Sequence, residues 1–227
     1  MPRTFPALRK QNNFLLLVLF FSISFTGCLT PQKMDAYVAG RYNNQLPSPV
    51  RRKQEVLVRP AQEPTDKKIS HTVTKTSHVL PLLVYWQMDY RHTCTLNPQL
   101  PVTNISNAIN GMSGKILQKL NGRRLELTIE QVPTAFALVD KSYMILLFEW
   151  DHIFVEPDGK DLIVSYQVFQ KDSVIKSGTV TVNNMEHNRN VRFAQSWRSS
   201  TREYLDRYES HLSSMGKIAA MKLLDEL

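Results

Sequence analysis

From Val79 onward the hydrophobic period of the chain changes in a fixed order, and that order limits the folds open to it. Leu82, Val84, Trp86 and Met88 alternate with Leu83, Tyr85, Gln87 and Asp89, the period-two pattern of a strand with one more apolar face. A loop carrying Asn97-Pro98 and Leu100-Pro101 follows. Ile105, Ala108, Ile109, Met112, Ile116, Leu117 and Leu120 then recur at helical spacing, with Thr103 or Asn104 placed to cap the start and Asn121-Gly122 to stop it. Gly111 and Gly114 weaken this helix by up to ~1 kcal/mol each relative to Ala, unless they permit a close approach to the sheet. Leu125, Leu127 and Ile129 alternate with Glu126, Thr128 and Glu130 as far as Pro133, a strand with one wet face. One long strand is expected through Met144, Leu146, Phe148, Trp150 and Phe154, ended by the turn chemistry of Pro157-Asp158-Gly159. Strands over 162–169 and 174–182, joined by a tight turn at Lys171-Asp172-Ser173, complete an antiparallel meander. From about residue 201 to 226, Leu205, Tyr208, Leu212, Met215 and Ala219 return to one helical face, with Leu223 beside it. The order βαββββα predicts an α+β domain: an antiparallel sheet of about five strands with two helices packed on one face, a two-layer sandwich that buries every apolar stripe.

The start of the chain is different. Arg3, Arg9 and Lys10 precede an apolar run from Phe14 to Phe21, and the run leads to Phe25-Thr26-Gly27-Cys28. A basic stretch, a short apolar stretch and small residues at a cleavage point make a secretory signal. From Phe14 to Phe25 the segment is shorter than the ~20 apolar residues of a membrane span. The string ending at Cys28 resembles a bacterial lipobox, with Phe25 standing where that pattern usually has an aliphatic residue. The resemblance covers residues 1–28 only. It implies a lipid on Cys28, attachment to a membrane through that lipid, and a place in the bacterial cell envelope. Leu29 and Thr30 follow with no aspartate, which implies sorting to the outer membrane.

The formal net charge of +8 is unevenly spread. Lys33, Arg41, Arg51, Arg52, Lys53, Arg59, Lys67, Lys68 and Lys75 outnumber Asp35, Glu55, Glu63 and Asp66 in residues 29–78, whereas residues 79–227 are balanced. The excess beside the expected lipid suits anionic headgroups, at about 1 kcal/mol per charge near the surface, and argues against a nucleic-acid partner. Residues 28–78 also carry Pro31, Pro47, Pro49, Pro60 and Pro64 without sustained periodicity. They are therefore expected to form a lipidated, flexible basic stalk, in which Glu55-Val56-Leu57-Val58 is the piece able to add a strand to a sheet edge. The expected organisation is a signal peptide over 1–27, the stalk over 28–78 and a single α+β domain over 79–227. With Cys28 carrying lipid, Cys94 has no partner for an internal disulfide and is expected to be buried.

Few residues suggest chemistry. His92 and Cys94 share a strand face, but a zinc site needs three or four ligands, and no metal or other cofactor is expected. Phosphate-binding glycine loops, dinucleotide fingerprints and nucleophile elbows are not found in the sequence. Glu149, Asp151 and His152 form the densest acid–histidine cluster; two carboxylates on one strand face can split an acid from a base, and equally describe a solvent-facing strand. His211 is expected at the surface of the last helix. Between Arg189 and Tyr208, five arginines alternate with Phe193, Trp197, Tyr204 and Tyr208, the composition of recognition surfaces. Arg192, Trp197 and Arg198 are the expected contact residues. The competing reading makes the aromatics core anchors and pairs the arginines with Glu203, Asp206 and Glu209.

The signal and the element order together are similar to those of small envelope lipoproteins that assist outer-membrane assembly or transport. That resemblance implies a non-enzymatic accessory role, with an envelope protein or an anionic glycan or lipid as partner. Two alternatives stand beside it: a hydrolase acting on an envelope polymer through Glu149 or Asp151, and a lipid carrier with an apolar cavity between sheet and helices.

Overall fold

A computed structural model of the chain describes residues 30–42, 56–61, 70–80, 85–145, 148–192 and 195–227. The elements, in order, are α1 (Pro31–Tyr42), β1 (Val56–Pro60), β2 (Ser70–Leu80), β3 (Tyr85–Thr95), α2 (Gln99–Gly111), α3 (Ser113–Leu120), β4 (Arg124–Gln131), β5 (Ala135–Ile145), β6 (Phe148–Pro157), β7 (Leu162–Gln170), β8 (Ser173–Val182), β9 (Arg189–Asn190) and α4 (Trp197–Glu226). The class is α+β, as expected. The single sheet is not: the described strands form a four-stranded sheet, β1-β4-β7-β8, and a five-stranded sheet, β2-β3-β5-β6-β9.

The two sheets are linked by the short connections from β4 to β5 and from β6 to β7. β4 pairs antiparallel with β7, and β5 pairs antiparallel with β6. Between the pairs the ladder stops, where Val132-Pro133-Thr134 on one side faces Asp158 to Asp161 on the other. Pro133 donates no ladder bond, and Asp158 instead gathers the corner: its carboxylate accepts from the amide of Thr134 at 2.9 Å and its own amide donates to the Ala135 carbonyl at 3.1 Å. The segment read as one strand through Met144 and Phe154 is thus two strands of a hairpin, with Ile145 paired to Phe148. Leu146 and Leu147 lie outside the described residues. The sequence there is apolar throughout and lacks the Gly, Asn or Asp that marks a turn.

The first sheet keeps the alternation expected of it. Leu125, Leu127 and Ile129 of β4, Leu162, Val164, Tyr166 and Val168 of β7, and Val180 and Val182 of β8 are buried under α2, α3 and α4, while Glu126, Thr128, Glu130 and Gln167 face outward. α4 supplies Tyr204, Leu205, Tyr208, Leu212, Met215, Ala219, Ala220 and Leu223 to the core, the stripe expected with one turn added at the front. Ser196 caps that added turn by accepting from the Ser199 amide at 3.3 Å. The α2 start also moves forward. Asn97, rather than Thr103 or Asn104, accepts from the Gln99 amide at 2.9 Å, and Pro101 sits in the first turn, where its missing N–H costs nothing. The helix breaks at Met112, and Asn121 (φ 48°) with Gly122 (φ 80°) stops α3 in the left-handed region.

Neither Gly111 nor Gly114 has a neighbour within 4 Å of an added Cβ, so they serve no close approach. Gly216 of α4 does: a Cβ there would lie 2.7 Å from the Ala108 Cβ and 3.1 Å from the Ile105 carbonyl oxygen. α2 and α4 meet at this point.

The stalk boundary is also displaced. Within residues 28–78, α1 buries Met34, Val38 and Tyr42, β1 buries Val56 and Val58, and β2 pairs along its length with β3. β1 is an edge strand, running parallel to β4 with Val56 opposite Leu125. Residues 43–55 and 62–69, which hold Arg51, Arg52, Lys53, Lys67 and Lys68 against Glu55, Glu63 and Asp66, lie outside the described residues. α1 forms because Thr30 caps it, accepting from the Lys33 amide at 3.2 Å, because proline suits its first position, and because Met34, Val38 and Tyr42 recur every four residues. Cys94 is fully buried, and burial, with the Asp35 charge adding to it, pushes its thiol up to about 12.

Candidate functional site

The segment from Arg189 to Tyr208 is brought together by two elements far apart in character. β9 is two residues long and pairs Asn190 with Phe154 and Arg189 with Val155. The Val191 amide extends this contact to the Ile153 carbonyl at 2.8 Å. A few residues later α4 begins. Between them lies a groove of about 270 Å³ lined by Arg189, Arg192, Gln195, Ser200, Glu203, Tyr204 and Arg207, among others.

Within the groove the charges are unequally matched. Arg207 pairs with Glu203 at 2.7 Å, and Glu203 also accepts from the Gln195 side-chain amide at 3.2 Å. Gln195 in turn accepts from the Arg192 backbone amide at 3.0 Å. No carboxylate among the described residues forms an ion pair with the Arg189 or Arg192 guanidinium. Tyr204 reaches the groove from the core; its ring packs on Phe136 with centroids 4.8 Å apart, and its buried hydroxyl has no hydrogen-bond partner among the described residues. Burial holds that hydroxyl well above the usual phenol range.

Arg189 also acts on the adjoining loop. Asn184 organises the loop: its backbone amide donates to Asp161 at 2.8 Å, its side-chain amide donates to the Asp158 carbonyl at 2.6 Å, and its Oδ1 accepts from the Glu186 amide at 3.0 Å. His211 Nε2 lies 3.0 Å from the same Oδ1, so this nitrogen carries the hydrogen. His211 is therefore half-buried against the loop and not at the helix surface. Burial lowers its imidazole and Arg189 lowers it further; burial raises the Glu186 carboxyl and Arg189 pulls it back.

The three contact residues expected from sequence separate. Arg192 lines the groove. Trp197 is half-buried, edge-on to Tyr37 of α1 with centroids 5.6 Å apart. Arg198 is exposed and lies over the Trp197 ring, 5.3 Å from its centroid. Trp197 is thus an anchor between α1 and α4, and Arg198 covers it. Asp206 and Glu209, expected to neutralise arginines of α4, pair with Arg41 of α1 at 2.5 and 3.7 Å. Arg189 and Arg207 join Arg192 instead; only the β9–β6 pairing places Arg189 opposite α4.

Of the remaining candidates, Glu149 and Asp151 belong to β6, paired with Met144 and Ser142, and their side chains lie outside the described residues. Cys28 also lies outside them. His92 and Cys94 share β3 without a third ligand: no group of three or more His, Cys, Asp or Glu residues able to hold a metal comes together among the described residues. The apolar space between α2, α4 and the first sheet, lined by Ile109, Leu127, Val164 and Leu223 among others, is about 10 Å³, no more than one water occupies. That interface has no room for an acyl chain. No described helix is long and apolar enough to cross a membrane. No family model matches the chain, and neither a curated protein nor a solved structure is significantly similar to it.

Proposed function

We propose that the protein is a lipid-anchored accessory protein of the bacterial envelope, without enzymatic activity, which holds an anionic group of an envelope partner in the groove between β9 and α4. The observation that carries this reading is the pair of guanidiniums, Arg189 and Arg192, which line one groove and form no ion pair with a carboxylate among the described residues. A guanidinium presents a planar fork of donors suited to a carboxylate or phosphate. The Ser196-capped start of α4 adds the positive end of a helix beside Ser200.

The anchor in this reading is a short one. Pro31 already begins α1, so only Leu29 and Thr30 separate it from Cys28, a reach of about 10 Å at most. The domain is then held against the bilayer rather than on a long stalk.

The test is crosslinking in intact cells followed by mass spectrometry, comparing the wild type with Arg189→Glu/Arg192→Glu and with Arg198→Glu. The double reversal in the groove removes the crosslinked partner, while Arg198→Glu, outside the groove, retains it. Equal recovery from all three rejects the groove. A fatty-acid probe tests the anchor separately: it labels the wild type and leaves Cys28→Ser unlabelled.

A further inference from the structure

The two faces of the five-stranded sheet are built differently. Cys94, Phe136, Leu138 and Val155 belong to the main core. Ala137, Val139 and Phe154, each one step along its strand, point the opposite way and form a small buried cluster of their own. This outer face is covered by its own side chains. Arg91 of β3 and Glu156 of β6 pair through both guanidinium nitrogens, reaching diagonally over β5 at Ala137 and Val139. Lys141 Nζ lies 5.8 Å from the centre of the Phe154 ring, and the His152 ring centre lies 5.4 Å from it.

Further out on the same face the cover ends. The register places Asp89, Lys141 and His152 in the next row and Gln87, Tyr143 and Trp150 in the one after it. The Tyr143 and Trp150 rings stack across β5 and β6, with centroids 6.0 Å apart and planes within 17° of parallel. Trp150 is nonetheless 47% exposed. β9 pairs with β6 only at Phe154 and Val155, so no described strand lies beside Trp150 on that side. The side chains of Tyr85, Ile145 and Phe148, in the row beyond, lie outside the described residues.

An exposed tryptophan leaves a large apolar ring in water, against ~25 cal/mol for each Å² that burial would recover. Here the ring is held in place by Tyr143, so a ligand that covers it costs little side-chain freedom. Its surroundings are polar. Gln87 Nε2 donates to both oxygens of the Asp89 carboxylate, at 3.0 and 3.3 Å. A carboxylate accepts at about four positions, so Asp89 keeps acceptor capacity for hydroxyl groups. His152 is exposed, and Lys141 and Gln87 are half-buried. Three strands and two rows make a patch about 10 Å by 7 Å.

We propose that this patch binds an uncharged glycan, with a pyranose stacked on the Trp150 ring and its hydroxyls bonded to Gln87, Asp89 and His152. A pyranose presents C–H groups on its faces and hydroxyls around its rim. It therefore needs an aromatic plane and polar side chains together, as this patch supplies them. The charges agree: Asp89 stands opposite Lys141, and Arg91 pairs with Glu156, so the patch lacks the cationic surplus of the arginine groove. A bilayer core or an apolar protein face would strip water from Asp89, Lys141 and Gln87 without replacing it. Four residues of β6, about 14 Å, separate Trp150 from Phe154, where β9 pairs, so this site is distinct from the groove. It rests neither on the groove nor on a lipid at Cys28.

The test is sedimentation of the full chain, in a detergent without sugar groups, with insoluble chitin, insoluble cellulose and bacterial cell-wall sacculi. The wild type sediments with at least one of them, and equally at about 1 M salt, where screening acts beyond ~3 Å and contacts to an uncharged ligand survive. Trp150→Ala lowers the affinity about tenfold or more, whereas Arg189→Glu/Arg192→Glu leaves it unchanged. Absence of the wild type from all three pellets overturns the proposal, as does full binding by a folded Trp150→Ala chain. If that variant misfolds by circular dichroism, Gln87→Ala/Asp89→Ala decides, and undiminished binding by it overturns the proposal. Binding that high salt or the double arginine reversal abolishes overturns it in favour of the groove. Trp150-dependent dimerisation, or Trp150-dependent capture of phosphatidylethanolamine–phosphatidylglycerol vesicles, without glycan binding overturns it in favour of a second copy or a bilayer. Loss of the groove reading in the crosslinking experiment leaves the sedimentation result untouched, so the two readings fail separately.

Discussion

Gly216→Ala is the sharpest test of how the helical layer packs. In an exposed helix the change stabilises by ~1 kcal/mol, since glycine gives up more backbone freedom on folding than alanine. At Gly216 the new methyl would stand 2.7 Å from the Ala108 Cβ, 3.1 Å from the Ile105 carbonyl oxygen and 3.3 Å from the Ile105 Cα. None of these atoms belongs to the far end of a flexible side chain, so α2 and α4 must separate. Overpacking of this kind costs ~1–3 kcal/mol. The net expectation is a loss of about 1–2 kcal/mol, equivalent to a fall in Tm of roughly 2–8 °C for a domain of this size. The assay is urea unfolding of the full chain followed by circular dichroism, with the midpoint moving and the slope constant. Ala108→Gly supplies the control. It removes the closest atom, so Gly216→Ala in that background loses most of its cost, and the cycle gives a coupling of about 1 kcal/mol. A Gly216→Ala chain more stable than the wild type, or a cost unchanged by Ala108→Gly, refutes the close approach.

Tyr166 donates to the Glu226 carboxylate at 2.6 Å, and that bond, with burial, raises the phenol from 10.0 to about 12. The folded value exceeds the unfolded one, so the contribution is complete below pH 10 and is lost as pH rises through 12. Tyr166→Phe removes about 1 kcal/mol at pH 7, towards the low end for a charged acceptor because Glu226 is exposed; unfolding as a function of pH reads both effects, and a variant with the wild type's alkaline limb contradicts them. In a Cys28→Ser chain, a thiol reagent finds no reactive cysteine in the native protein and one in urea, since the buried Cys94 thiol stays protonated; rapid native reaction contradicts its burial. Arg189→Gln raises the His211 pKa, measured by NMR titration of the imidazole, because it removes one of the two influences that lower it; an unchanged or lower value removes Arg189 from that neighbourhood.

What the sequence made legible follows from which elements carry their own signal. β4 and β7 alternate cleanly because one face is dry and the other wet, β8 does so only at its Val180 and Val182 end, and the Lys171-Asp172 turn has the residues such a turn needs; Lys171 takes φ 56° there. The α4 stripe was readable for the same reason. α1 hid because its stripe is only Met34, Val38 and Tyr42 in an otherwise polar stretch, although Thr30-Pro31 is a recognisable start. β2 hid because Ser70-His71-Thr72-Val73-Thr74 shows β-branched residues without an apolar face. The hairpin between β5 and β6 hid because its ends are apolar, the property that distinguishes that end of the sheet. For the site, Arg192 was legible from composition, but Trp197 and Arg198 were grouped with it by nearness in sequence. A two-residue strand pairing with β6 regroups them, and no periodicity announces a two-residue strand.

Each sheet owes one of its margins to the first eighty residues: β1 closes the β4 side of one and β2 the β3 side of the other. β2 pairs with β3, the next strand in sequence, but β1 leaves the ribosome long before β4, the strand it pairs with. A fragment cut at residue 79, where the pattern invites a cut, would bare two rows of unpaired amides and carbonyls and the sockets of Met34, Val38 and Tyr42. Such a fragment would clump with its own kind. The early chain is thus a built-in cover, and its β1 part stays uncommitted until β4 has emerged.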